Sequence, residues 1–131
     1  MIHKCYCSWF CGWSQDEYIQ QQLRDKDIGS FLIRFSNRRS FCALVVKVSQ
    51  SREPEDMFCK YLVKFDESRK TYQILFDSGM GKTGNHPSFN ALDKLVEYYY
   101  NNPIPHKDQS IRLRPTRIGY VPLDYGLGAG E

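Results

Sequence analysis

A single arginine interrupts the most apolar strand that this sequence predicts. Residues 29–36 read GSFLIRFS, and the apolar side chains alternate onto both faces of an extended chain. A strand with two apolar faces must be covered on both sides, which requires a sheet between two layers. Arg34 lies in its middle, although arginine is almost never buried unless it is paired. The fold must therefore pair Arg34 internally or keep it for an anionic ligand.

Both outcomes for Arg34 are open on the sequence. A carboxylate of the same chain could pair with it, and the acidic candidates are Asp16 and Glu17 in a predicted helix. Alternatively, its planar fork could bind a carboxylate or phosphate of another molecule. This second outcome is favoured because no acidic residue lies in the strand or in the turn after it. The polar and basic neighbours that could serve an anion are Ser36, Asn37, Arg38, Arg39, Ser40 and, on a later strand, Lys60.

The other strand patterns predict an antiparallel meander. Alternating or wholly apolar segments bounded by polar turns cover residues 31–36, 41–48, 59–65 and 71–76. Residues 49–56 are a charged stretch with one proline, which predicts a loop. A further strand pattern precedes the meander at residues 5–11, and a short edge strand could follow at residues 111–113.

Two helices flank these strands in the sequence. A capping box of Ser14 and Glu17 predicts a helix from about Gln15 to Arg24. Ser88 can cap a second helix, which Asn102-Pro103 would end. The apolar positions of that helix follow the helical period at Phe89, Leu92, Leu95, Val96 and Tyr99. The predicted class is therefore α+β, with a central antiparallel sheet flanked by one α-helix on each face.

Length and charge narrow the class of protein. A chain of 131 residues is one domain, predicted at residues 1–116 with a C-terminal tail at 117–131. The longest apolar run, Phe41–Val46, is far shorter than the about 20 residues of a membrane helix, so no membrane partner is expected. A net charge of +3 is low for nucleic-acid binding. The five cysteines are an odd number without a disulfide-like spacing, which favours a cytoplasmic setting.

The sequence offers no catalytic or cofactor chemistry. No nucleophile and base pair stands out, and the GMGKT run at residues 79–83 lacks the earlier glycine that a nucleotide-binding loop requires. Zinc would need ligands that converge, but same-face residues of a strand are spread about 6.6–6.8 Å apart. That argument concerns His3, Cys5, Cys7 and Cys11. We therefore predict no enzyme activity, no metal and no cofactor.

Three motifs follow one another at a family-like spacing. WFCG at residues 9–12 precedes the first helix, GSFLIRFS follows at 29–36, and FNALDKLVEYY follows at 89–99. Together they resemble the Src homology 2 (SH2) family of phosphotyrosine-binding domains, over roughly residues 9–113. The Arg-Phe-Ser spelling is most similar to the family's transcription-factor branch. The resemblance implies an SH2-like fold.

The resemblance also implies a phosphate site. Arg34 matches the family's phosphate-binding arginine, at the floor of a pocket between the first helix and the sheet. Ser36 matches a serine that bonds the phosphate, and Lys60 falls where many members carry a basic residue lining the pocket. The phosphate-binding loop would comprise Asn37, Arg38, Arg39 and Ser40. The matching start of the first helix, residues 15–17, lacks the second basic residue that many members offer there.

Peptide contacts beyond the phosphotyrosine are implied at two places. Tyr61 matches a position that often touches the peptide, and the loop at residues 77–87 walls the far side of the site. This loop is several residues longer than is common, so it is either a tolerated insertion or a lid with broad sequence selectivity. Its predicted peptide-binding residues are Met80, Gly81 and Lys82.

The implied function is non-catalytic docking. The chain would bind tyrosine-phosphorylated proteins or peptides as a monomer, acting as an adaptor or as an effector that a bacterium delivers into the host cytosol. The alternative is a phosphorylation-independent protein-interaction domain on the same fold.

Overall fold

The computed structural model describes residues 9–75, 86–107 and 109–115 of the chain. The helices are α1 (Asp16–Leu23), α2 (Pro54–Met57) and α3 (Leu92–Asn101). The strands are β1 (Phe31–Phe35), β2 (Phe41–Lys47), β3 (Phe58–Asp66), β4 (Thr71–Leu75), β5 (Ile104–His106) and β6 (Gln109–Ile111). None of the helices in this part of the chain is long and apolar enough to cross a membrane.

The first four strands form one antiparallel sheet in the order β1-β2-β3-β4. This arrangement confirms the predicted meander. The outer edge of β1 does not face solvent, because the chain just before α1 runs along it: the Ile33 amide donates to the Trp9 carbonyl at 2.7 Å, and the Phe35 amide donates to the Gly12 carbonyl at 2.7 Å. The predicted strand at residues 5–11 is represented by a parallel bridge between Phe10 and Ile33; residues 1–8 lie outside the described part.

Each face of the sheet is covered by its own core, as the two apolar faces of β1 predicted. The larger core includes Phe31, Ile33, Leu44, Val46, Val63, Leu95 and Tyr99, and so contains residues of α3. The second includes Cys11, Ile19, Leu23, Leu32, Val45 and Phe58, and so contains residues of α1. Successive side chains of a strand point to opposite faces. Arg34, two residues after Leu32, therefore lies on the α1 face of the sheet.

The predicted cap of the first helix is wrong. The helix begins at Asp16 with Gln15 as its N-cap residue, and no side chain caps it. The Ser14 hydroxyl instead donates to the Cys11 carbonyl at 2.6 Å. A serine before a helix can satisfy any nearby backbone group, and here the turn that leads into the helix takes it.

The predicted cap of the last helix is also wrong. Residue 88 precedes a backbone bridge between Phe89 and Tyr72, whose amides and carbonyls bond at 2.6 and 2.9 Å. The helix α3 consequently begins only at Leu92, with Ala91 as its N-cap, and it ends before Asn102 as predicted.

Two further segments differ from the sequence prediction. The charged stretch at residues 49–56 was expected to be a loop, but it contains the start of α2, with Pro54 in its first turn. The predicted edge strand at residues 111–113 is displaced to β6, which pairs with β5 in a separate two-stranded sheet and not with the main sheet.

A buried lysine fastens the end of α1 to the sheet. Lys47, on β2, is only 2% exposed. Its ammonium donates to the Arg24 carbonyl at 2.6 Å and to the Lys26 carbonyl at 2.7 Å. The last carbonyls of a helix have no partner within the helix, so a buried cation there satisfies them and complements the negative end of the helix dipole.

We expect Lys47→Met to lower the free energy of unfolding by about 2 kcal/mol, because methionine keeps the length of the stem and leaves both carbonyls without their charged donor. Urea denaturation would measure this. Lys64→Met, at an exposed position of the neighbouring strand β3, should stay within about 0.5 kcal/mol of the wild type. An equal response of the two variants would show that water replaces the Lys47 ammonium.

Candidate functional site

Arg34 is held at the α1 face of the sheet by an ion pair within the chain. Its side chain is 15% exposed, and its Nε donates to Oδ1 of Asp16 at 2.9 Å. Its Nη1 donates to the Phe35 carbonyl at 3.0 Å. The expectation that Arg34 awaits an outside counter-ion is therefore wrong for the protein without ligand. The strand and its turn lack acids, but the first residue of α1 supplies one.

The same carboxylate reaches a second cation. Oδ2 of Asp16 lies 3.5 Å from Nζ of Lys60, on β3. Asp16 and Lys60 are much more exposed than Arg34, at 42% and 48% of their side chains. The structure thus brings the predicted residues Arg34 and Lys60 to one anion, and the three groups together carry a formal charge of +1.

The turn between β1 and β2 adjoins this ion cluster. The Ser36 hydroxyl accepts the Arg38 amide at 3.1 Å, and the Arg38 guanidinium lies 4.4 Å from the centre of the Phe41 ring. Ser40 has a left-handed φ of 67°, and its hydroxyl donates to Glu67 at 2.9 Å. Asn37, Arg38 and Arg39 are exposed. The predicted phosphate loop is therefore a surface turn next to the end of β1 that carries Arg34.

A hollow of about 340 Å³ opens beside Asp16 and Lys60. Val45 and Phe58 supply its apolar part. The polar groups come from α1 and α2 as well as from the sheet. The complete lining is Asp16, Gln20, Val45, Pro54, Glu55, Phe58 and Lys60. The charged groups of this lining are two carboxylates, Asp16 and Glu55, and the Lys60 ammonium, so the hollow meets the Arg34 ion pair only through Asp16 and Lys60.

The sequence model of the SH2 domain family matches residues 9–99 of the chain. The chain belongs to the SH2 domain family. As a family, SH2 domains dock phosphotyrosine peptides and are generally non-catalytic binding modules. A search of curated proteins found no match to this chain.

Tyr61, the one remaining predicted peptide contact among the described residues, does not join the cluster. Tyr61 lies in the core on the α3 side of the sheet and is 9% exposed. Its hydroxyl donates to the Pro105 carbonyl at 3.3 Å, and burial raises its pKa. Its contact with a peptide stays a prediction. Met80, Gly81 and Lys82, with the expected lid at 77–85, lie outside the described residues.

Cys11 is a core thiol in this domain. It is 2% exposed, its sulfur donates to the Ile33 carbonyl at 3.4 Å, and burial raises the pKa of the thiol to about 11. Among residues 9–75, 86–107 and 109–115, no group of three His, Cys, Asp or Glu side chains could hold a metal ion.

Sequence reasoning missed part of this site. Asp16 was weighed only as an alternative to a ligand, and Gln20 and Glu55 were not considered. A proline followed by two acidic residues, as at 54–56, is a helix-start signal that could have revealed α2 and hence Glu55. No comparable signal marks Gln20, whose place depends on how α1 rests on the sheet.

The ion pair adds little to stability, because both of its ends reach solvent. We expect Asp16→Asn to lower the free energy of unfolding by about 1 kcal/mol in urea denaturation. Glu17→Gln, the same change at an exposed neighbour, should alter it by less than about 0.5 kcal/mol. A loss above about 3 kcal/mol for Asp16→Asn would instead identify the pair as a buried structural element.

Proposed function

We propose that this SH2 domain binds phosphotyrosine-containing peptides through Arg34, as a non-catalytic module that docks on phosphorylated sites or shields them. The observation that supports this most directly is the 2.9 Å bond from Arg34 Nε to a carboxylate oxygen. An arginine that already holds one oxyanion at the rim of the sheet, with Lys60 3.5 Å from the same carboxylate, has the donors that a phosphate needs.

The chemistry of phosphotyrosine fits the recessed position of Arg34. A phosphate ester carries a charge of about −1.5 to −2 at neutral pH and three acceptor oxygens. The tyrosine ring is long and rigid enough to bring that charge down to a side chain that is only 15% exposed. Phosphoserine is too short to do so. The Ser36 hydroxyl, Lys60 and the surface turn at residues 37–40 would supply further donors.

We propose that the rest of the peptide lies across the sheet, with modest sequence selectivity and micromolar affinity, about −8 kcal/mol. The long loop at residues 77–87 would cover it as a lid, since loops of this length are often functional. Deleting residues 79–84 tests this: a lid predicts weaker peptide binding, whereas a tolerated insertion predicts unchanged affinity.

A second candidate function follows from the same ion pair. Asp16 satisfies Arg34 without any ligand, as would be expected of a phosphorylation-independent interaction domain on this fold. An array of matched phosphorylated and unphosphorylated tyrosine peptides separates the two, because only the first function requires the phosphate.

We further propose that the domain acts as a monomer in a cytosol, either as an adaptor or as an effector from a bacterium, without nucleic-acid or membrane partners. The described cysteines Cys11, Cys42 and Cys59 are free thiols, which suits a reducing compartment.

Arg34→Ala should reduce the affinity for a phosphotyrosine peptide at least about a hundredfold, because each charge-assisted hydrogen bond contributes about 1.5–3 kcal/mol. Isothermal calorimetry measures the affinity, and circular dichroism verifies the fold. Arg112→Ala removes the same charge from an exposed position after β6 and should bind like the wild type. Equal binding by Arg34→Ala and the wild type would refute the assignment.

A further inference from the structure

We propose that Asp16 is an internal competitor of the ligand: its carboxylate occupies the place at Arg34 and Lys60 that a phosphate must take, and it lowers the affinity of the site. This inference rests on the proposed phosphotyrosine function and assigns to that site a residue that limits binding.

The competition follows from the shared donors. Asp16 bonds Arg34 through Nε, while Nη1 of Arg34 is engaged by the Phe35 carbonyl. A bidentate oxyanion needs two parallel N–H groups of the guanidinium. The edge formed by Nε and Nη2 is thus closed to a phosphate until the carboxylate leaves, and a phosphate at the other edge, Nη1 and Nη2, would have to share Nη1 with the Phe35 carbonyl. Lys60, the other described cation at this site, is 3.5 Å from the same carboxylate.

Of the two partners in the pair, Asp16 is the one that can move. Arg34 extends from the interior of a strand and is 15% exposed, whereas Asp16 is 42% exposed on the first turn of α1. A carboxylate released from Arg34 can turn to water. It also stays at the N-terminal end of α1, where the helix dipole stabilises a negative charge. The Asp16 carboxylate therefore remains stabilised after a ligand displaces it from Arg34.

The competitor has a measurable effect on affinity. A ligand must break the pair with Arg34, and it then sits close to a carboxylate of like charge, which opposes the dianionic phosphate. Asp16→Asn removes the negative charge and keeps the size of the side chain, so the repulsion disappears and Arg34 is left with at most a weaker, neutral hydrogen bond. We expect this variant to bind phosphotyrosine about tenfold more tightly. A residue with only a structural role would weaken binding, or leave it unchanged, when removed.

The test is calorimetry with two probes, phenyl phosphate and one phosphotyrosine peptide selected on the array. The proteins are the wild type, Asp16→Asn, Glu17→Gln and the double variant Asp16→Asn with Arg34→Ala. Glu17 carries the same charge next to Asp16, is exposed, and forms no ion pair with any described residue. Glu17→Gln should change either affinity less than twofold, and the double variant should bind neither probe.

The outcomes separate this inference from the proposed function. If the wild type binds and Asp16→Asn binds no more tightly, or Glu17→Gln gains as much, the competitor role is overturned and the phosphotyrosine function stands. If the wild type shows no binding and Asp16→Asn binds, both the competitor role and the phosphotyrosine function are supported. If neither the wild type nor Asp16→Asn binds either probe, the proposed function fails and the inference fails with it.

Discussion

The need of one guanidinium for a counter-ion organises the α1 face of this SH2 domain. Arg34 extends from a strand that is apolar on both faces, yet its side chain still reaches solvent, so its partner contributes only about 1 kcal/mol. Asp16, the first residue of α1, provides the counter-ion, and its Oδ1 lies 2.9 Å from Nε of Arg34. The pair fixes the charge at this point of the sheet, where Arg34, Asp16 and Lys60 together carry a formal charge of +1. Its exposure at the rim of the sheet is what keeps it open to exchange.

Lys47, a cation on the same face of the sheet, has backbone carbonyls as its partners and not a carboxylate. Lys47 is almost completely buried, and two backbone carbonyls just past the end of α1 hold its ammonium. Arg34 is held by the Asp16 side chain, which is 42% exposed. Fixed carbonyls suit a structural role, whereas an exchangeable carboxylate suits a site for ligands. Arg34 and Lys47 carry the same charge, but they differ in burial and in the type of acceptor that each one contacts.

Much of the fold could be predicted from the sequence, because its signals are local. The alternating strands gave the meander, and the two apolar faces of β1 gave a helix layer on each side. Arg34 was identified as the central residue by its contrast with its neighbours. The capping box of Ser14 and Glu17 failed because Ser14 had a competing carbonyl at Cys11, and the Ser88 cap failed because Phe89 bridges to Tyr72. Such choices depend on tertiary neighbours.

The sequence could not show which acidic residue pairs with Arg34, because that choice also depends on tertiary contacts. Asp16 and Glu17 are adjacent acids on one helix, and the sequence does not show which of them faces the sheet. The rotation of α1 decides that, and it is set by the packing of Ile19 and Leu23 in the core. The lining of the hollow by Gln20 and Glu55 likewise depends on how α1 and α2 rest on the sheet.

Arg34 and Lys47 also hold the two ends of α1 against the sheet. The sheet contacts this helix at its first residue through Arg34 and just past its last residue through Lys47. If the proposed anion displaced Asp16, the two carbonyl bonds of Lys47 would still hold the other end of the helix. The rearrangement that binding requires would then be confined to the first turn of α1.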